Sequence, residues 1–295
     1  MNYNSMISVA SWEDRYELGI KHFLKNNYIK KLIIFNFVDF SEETKINTKN
    51  LISFLNTQSI EHELVNLYHN CNIDNWKIVK NTFKNITGSL VIDLSTMPRD
   101  IIYFSLYHAD KSDNIEELYC LYNCPENYSN DKWLTKDPRK PQLVYNMSGI
   151  FEMGKNTIVI IITGFDRKRI EQLLNYYEPQ KVYMGLQTGK QYENNILNIK
   201  QHEEYFKSFL EIEYFYLDAF SKNDHGLSAI EEIIKNNIDS NIIIASLGPK
   251  PSSISLFQIN KKNPNIGLVY IPVTTYNMSY SFGIDLEKVI FERIK

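Results

Sequence analysis

Apolar residues in this chain fall into short unbroken runs, and between the runs they recur every three or four positions. The runs "MISVA" (from Met6), "KKLIIFNFV", "HELVNLY", "SLVIDL" and "IEELYCLYN" read as strands, several of them apolar on both faces. Leu18, Phe23 and Leu24 recur at near-helical spacing on a polar background, and helices are expected around 44–57, 73–85 and 99–108. A second series begins at "NTIVIIITGFDRKRIEQLLNYYEPQKVYMGL", which reads strand, loop, helix, strand. It continues through a helix near 200–210, "IEYFYL", a helix over 226–237, "NIIIAS", a helix to about 262 and a final strand "IGLVYIPV". Alternating strands and helices with doubly buried strands imply parallel sheets covered by helices. The predicted class is α/β, with two tandem Rossmann-like three-layer units: 1–125, a linker or insertion over 126–156, and 157–295.

The two series share one order of elements and similar punctuation, which predicts an internal duplication. Aligning "ISVASWEDRYELG" with "IIITGFDRKRIEQ" places Asp14-Arg15 on Asp166-Arg167, 152 residues on. Aligning "LVIDLSTMPRDIIYFSL" with "IIIASLGPKPSSISLF" places Pro98-Arg99 on Pro249-Lys250, 151 residues on. The stretch "NCPENYSNDKWLTKDPRKPQ" is polar, proline-rich and aperiodic, so the boundary is placed there.

Composition narrows the chemistry. The 295 residues are 43% apolar and 23% charged, as in an ordinary globular protein. A net charge of -3 gives no global basic field, which argues against bulk binding to duplex nucleic acid. Three cysteines, Cys71, Cys120 and Cys124, are too few and too odd in number for a disulfide framework. No apolar run approaches a membrane span and no signal peptide opens the chain, so a cytoplasmic protein is expected. The six histidines are scattered, and Walker, G-x-G-x-x-G, H-E-x-x-H and G-x-S-x-G motifs are absent. Neither a metal nor a cofactor is expected.

In open parallel sheets, ligands sit beyond the carboxyl ends of the strands, where helix N-termini favour anions. Four loops meet that description: 11–15, 94–100, 163–169 and 246–252. Arg99 and Lys250 are read as phosphate contacts, with the exposed turn cation as the alternative. Gly248 admits close approach of a ligand or of the chain itself. Ser95, Thr96, Ser252 and Ser253 offer hydroxyls or cap helices. Asp14 and Asp166 hold a sugar hydroxyl, orient Arg15 and Arg167, serve as a general base, or simply complement the helix dipole. Trp12 and Phe165 stack on a base or pack in the core. Tyr276 lies in "PVTTYNMSYSFGID", a polar aromatic loop expected over the same edge. Asp93 is the acidic residue at the end of an apolar strand.

The second series, from "IVIIITGFDRKRIEQLL" to "NIIIASLGPKPSSISLF", resembles CRISPR-associated Rossmann fold (CARF) domains over about 157–272, and by duplication over 5–124. The resemblance implies sensing of cyclic oligonucleotides across a two-fold axis, with cleavage in some members. It gives Lys250 the role of the family's loop lysine, Gly248 that of a loop glycine, and Arg99 the matching role in the other half. The sequence has Gly-Pro-Lys-Pro where the family has a Gly-Gly-Thr-Lys-like run.

The expected function is a nucleotide- or oligonucleotide-binding sensor with a phosphate-binding cleft between duplicated halves, in prokaryotic antiviral defence or signalling. One alternative is a metal-independent hydrolase of a phosphodiester or N-glycosidic bond in that cleft. Another is a non-catalytic scaffold for a protein partner in an operon-encoded complex.

Overall fold

Strands buried on both faces dominate the architecture: Thr157–Ile162 exposes little but its first residue, and Asn241–Ser246 is buried throughout. The computed structural model describes residues 1–69, 71–129, 133–188, 200, 202 and 211–295. The helix expected near 200–210 lies outside them, apart from Lys200 and His202.

In chain order the first elements are β1 (Asn2–Val9), α1 (Asp14–Leu24), β2 (Tyr28–Phe37), α2 (Ser41–Thr57), β3 (Glu61–Leu67), α3 (Asn72–Phe83), β4 (Gly88–Asp93), α4 (Arg99–Lys111) and β5 (Ile115–Asn123). Three short strands follow: β6 (Asn127–Tyr128), β7 (Thr135–Pro138) and β8 (Gln142–Leu143). Then come β9 (Thr157–Ile162), α5 (Arg167–Tyr177), β10 (Lys181–Gln187), β11 (Glu211–Leu217), α6 (Leu227–Asn236), β12 (Asn241–Ser246) and α7 (Ser252–Lys262). The remainder is β13 (Gly267–Tyr270), β14 (Val273–Tyr276), β15 (Ser281–Phe282) and β16 (Val289–Arg293).

These elements form two mainly parallel six-stranded sheets, ordered β16-β5-β4-β1-β2-β3 and β8-β13-β12-β9-β10-β11. The orders correspond strand for strand, and each has one antiparallel edge, β16 on β5 and β8 on β13. Both units are Rossmann-like. In the first, Tyr16, Ile20 and Phe23 of α1 and Leu51 and Leu55 of α2 pack on Met6, Leu32, Ile34 and Val91. In the second, Ile170, Leu173 and Leu174 of α5 pack on Val159, Ile161, Met184 and Ile243. Each such side chain contributes about 1.5–3 kcal/mol by leaving water.

The chain divides differently from the expected 1–125, 126–156 and 157–295. One unit is Met1–Asp131 with Met278–Lys295, and the other is Lys132–Asn277. The expected linker contributes β6, β7 and β8, and the expected surface loop around Tyr276 becomes β14 and β15. β14 pairs with β7 in the second unit, whereas β15 pairs with β6 in the first. Strands of two to five residues at a sheet edge or in a two-stranded ladder have too little alternation to stand out in sequence.

Candidate carboxyl-edge sites

In each sheet the strand order reverses between two neighbouring central strands, β1 and β4 in the first, β9 and β12 in the second. The crevice beyond such a reversal is where open α/β sheets bind ligands. Residues 10–13 and 163–166 bridge the first strand to its helix, and residues 94–98 and 247–251 bridge the fourth. Loop lengths therefore match pairwise, and a single offset of 153 residues relates both pairs. Arg99 and Ser252 both open a helix behind an N-cap proline, Pro98 or Pro251. This corrects the alignment of Arg99 with Lys250: Lys250 lies two residues earlier, opposite the buried Met97. Likewise the N-cap acids Glu13 and Asp166 correspond, which sets Asp14 opposite Arg167.

The edge of the first unit is built on Asp93, which is inaccessible to solvent. The Ser8 hydroxyl donates to it at 2.9 Å and the Ser95 backbone N–H at 3.0 Å. The Ser95 Oγ also donates to it, and accepts from the Asn123 N–H at 2.9 Å and Nδ2 at 3.2 Å. Thr96 Oγ1 donates to the Val9 carbonyl at 2.9 Å, binding the β4 loop to β1. These hydroxyls hold together the ends of β1, β4 and β5. Arg99 is half-buried at the start of α4.

Arg15, 8% exposed, donates Nε to Glu13 Oε2 at 2.8 Å, with Nη2 at 2.7 Å from the same oxygen. Its Nη1 donates to the Tyr122 hydroxyl at 3.2 Å. Burial works against the guanidinium charge, but Glu13 and Tyr122 outweigh it and leave the pKa raised. Burial also pushes the Tyr122 hydroxyl up to about 12. Ser281 Oγ donates to Glu13, and the Gly283 N–H donates to Asp14 Oδ2 at 3.0 Å, so both acids hold the β15 segment. Trp12 meets Phe40 edge-on at 5.6 Å.

In the second unit the reversal is made by two glycines. A Cβ on Gly164 would collide with the Leu247 carbonyl, and one on Gly248 would lie 2.6 Å from the Thr163 carbonyl oxygen and 3.1 Å from Gln187 Nε2. Gly248 thus serves the approach of its own chain. Ser252 Oγ donates to the Pro249 carbonyl at 2.7 Å and lies 2.7 Å from Ser246 Oγ. Lys250 is half-buried within the loop. Asp166 caps α5 through the Arg169 N–H at 3.4 Å and accepts from Thr135 Oγ1 on β7. Arg167 is half-buried, and Tyr276 pairs with Thr135 across the β14–β7 ladder.

Three buried residues at this edge carry polar atoms left over, and of these only Ser253 was offered by the sequence, as a hydroxyl or a cap. Among the described residues, Gln187 Nε2, Ser253 Oγ and Arg169 Nε have no hydrogen-bond partner, although native structures satisfy nearly all such atoms. The available signal was helical: Arg169 falls on the apolar face with Leu173, four residues on. Since Ser253 Oγ satisfies nothing, Ser253→Ala is expected to leave stability unchanged or raise it by about 1 kcal/mol. The urea midpoint checks this, and a marked loss would show a hidden partner. Among the described residues, no three His, Cys, Asp or Glu side chains are grouped to hold a metal ion. No helix among them is long and apolar enough to cross a membrane.

No protein-family model matches the chain, and no curated protein matches it. Among solved structures, the fold is similar to that of a type III CRISPR defence DNA nuclease activated by cyclic oligoadenylate, with a TM-score of 0.55 and 6% sequence identity. The match covers 88% of this chain and 63% of that one, so this chain spans under two thirds of the nuclease's length. At the level of fold, this likeness supports the resemblance to CARF domains.

Proposed function

We propose that this protein senses a phosphate-bearing nucleotide or short oligonucleotide in prokaryotic antiviral defence, and that its two units arose by internal duplication. The reading is supported above all by two sheets of one strand order, each with paired loops at its reversal, in a fold like that of a nuclease activated by cyclic oligoadenylate. Arg99 and Lys250 contact phosphate, assisted by the N-termini of α4 and α7. Arg167 and Tyr276 are assigned to the ligand's periphery. Trp12, Asp14, Arg15, Ser95, Thr96, Asp166, Gly248 and Ser252 shape the loops through the internal contacts described above.

The test is calorimetric titration with cyclic and linear oligoadenylates. Each charge-assisted contact is worth about 1.5–3 kcal/mol, so Arg99→Ala and Lys250→Ala should each weaken binding by about tenfold to a hundredfold. If one ligand touches both cations, the double variant departs from additivity. Absence of binding across a broad panel of phosphate ligands sinks the reading. Release of a shortened product moves the assignment to a hydrolase.

A further inference from the structure

Arg15 and Arg169 hold similar but not equivalent places in their units, since the offset of 153 residues sets Lys168 opposite Arg15 and Tyr16 opposite Arg169. Each rises from the first turn of the helix after the first central strand, and its guanidinium lies 5.8 Å over a tyrosine near the end of the fifth, Tyr122 on β5 or Tyr270 on β13. Their neutralisation differs. In the first unit Glu13 takes both Nε and Nη2. In the second the N-cap acid is Asp166, one methylene shorter and bonded to Thr135 and the Arg169 backbone. Arg169 donates Nη2 to the Ile271 carbonyl, and among the described residues its Nε has no partner. The side chain is 5% exposed, and among the described residues no carboxylate is within ion-pair distance.

A buried cation without a counter-charge is unfavourable, and an orphaned N–H adds to the cost. The N–H left open in the second unit is the one that Glu13 fills in the first. We propose that Arg169 is a phosphate-recognition residue of the second unit, its Nε taking a phosphate oxygen of the ligand as Glu13 takes that of Arg15. The planar guanidinium suits an oxyanion, and the N-terminus of α5 adds partial positive charge. Assignment to a ligand phosphate rests on the sensor reading above. Nε is out of contact with solvent, so phosphate entry requires local displacement of the covering chain.

The experiment compares melting temperatures in phosphate, acetate and chloride at matched ionic strength, for wild type, Arg169→Met and Asp166→Glu. Phosphate should raise the wild-type melting temperature selectively. Arg169→Met should weaken phosphate by about tenfold to a hundredfold. Asp166→Glu retains the arginine but brings a longer carboxylate to Nε. It should melt higher in chloride and lose the phosphate response. No wild-type response, an equal response in Arg169→Met, or an equal response to acetate overturns the proposal. Cyclic oligoadenylate binding in the same variants separates the two readings. Equal affinity in wild type and Arg169→Met removes the role of Arg169 and leaves the sensor standing. An Arg169-dependent phosphate response with no oligonucleotide binding removes the sensor and keeps the site.

Discussion

Glu13→Gln is expected to destabilise the first unit by about 3–5 kcal/mol, because it strands the buried Arg15 charge. Glutamine keeps the length of the side chain and one acceptor oxygen, so packing is preserved. Among the described residues it removes the one carboxylate paired with Arg15, which receives both Nε and Nη2. Tyr122 and its ring remain, but a neutral hydroxyl cannot balance a guanidinium that is 8% exposed. Amide exchange of β1, β4 and β5 during urea titration reads the loss in that unit. Adding Arg15→Met should recover much of it, since replacing a buried pair by apolar groups is often close to neutral. A loss below about 0.5 kcal/mol, typical of an innocuous surface change, would mean that Glu13 does not neutralise the arginine.

Gly164→Ala is expected to cost the second unit about 3 kcal/mol, at the upper end of ordinary overpacking. The new methyl group would enter the Leu247 carbonyl and also crowd the Cα of Gly248. Both are backbone atoms, so no rotamer change relieves the contact. The Leu247 N–H bonds the Ile162 carbonyl at 2.8 Å, and separating the loops breaks that bond. The fall in the urea midpoint measures the effect. Gly154 supplies the control: a Cβ there meets nothing within 4 Å, though its positive φ of 85° makes alanine mildly unfavourable. If Gly164→Ala is no worse than Gly154→Ala, the two loops are not held as tightly as their geometry indicates.

The sheets were legible because their central strands are apolar runs too short and too β-branched for helices, as in "IVIII" and "NIIIAS". β16 was not, because "VIFER" alternates for only five residues beside an ordinary turn. The loop alignment slipped by two residues for a specific reason. "GPKP" contains two prolines, and sequence alone does not say which one precedes the helix. The structure selects Pro251, which separates Arg99 from Lys250 as positional equivalents. The arginine run "RKR" was read at Arg167 because of its neighbouring aspartate, whereas burial singles out Arg169. Which of three adjacent cations turns inward depends on the phase of α5 against the sheet. That phase is fixed by Ile170, Leu173 and Leu174. Neutralisation was least legible of all, since Glu13 and Asp166 look alike until the reach of each carboxylate is known.

The return of residues 278–295 to the first unit orders the birth of the molecule. Translation runs from the N-terminus, and β5 keeps an open edge until β16 has emerged. Every residue of the second unit, by contrast, has been synthesised by Asn277. The unit encoded first is therefore the one completed last. During that interval the nascent chain exposes the backbone of Tyr119–Asn123, a row of unpaired donors and acceptors open to any passing strand.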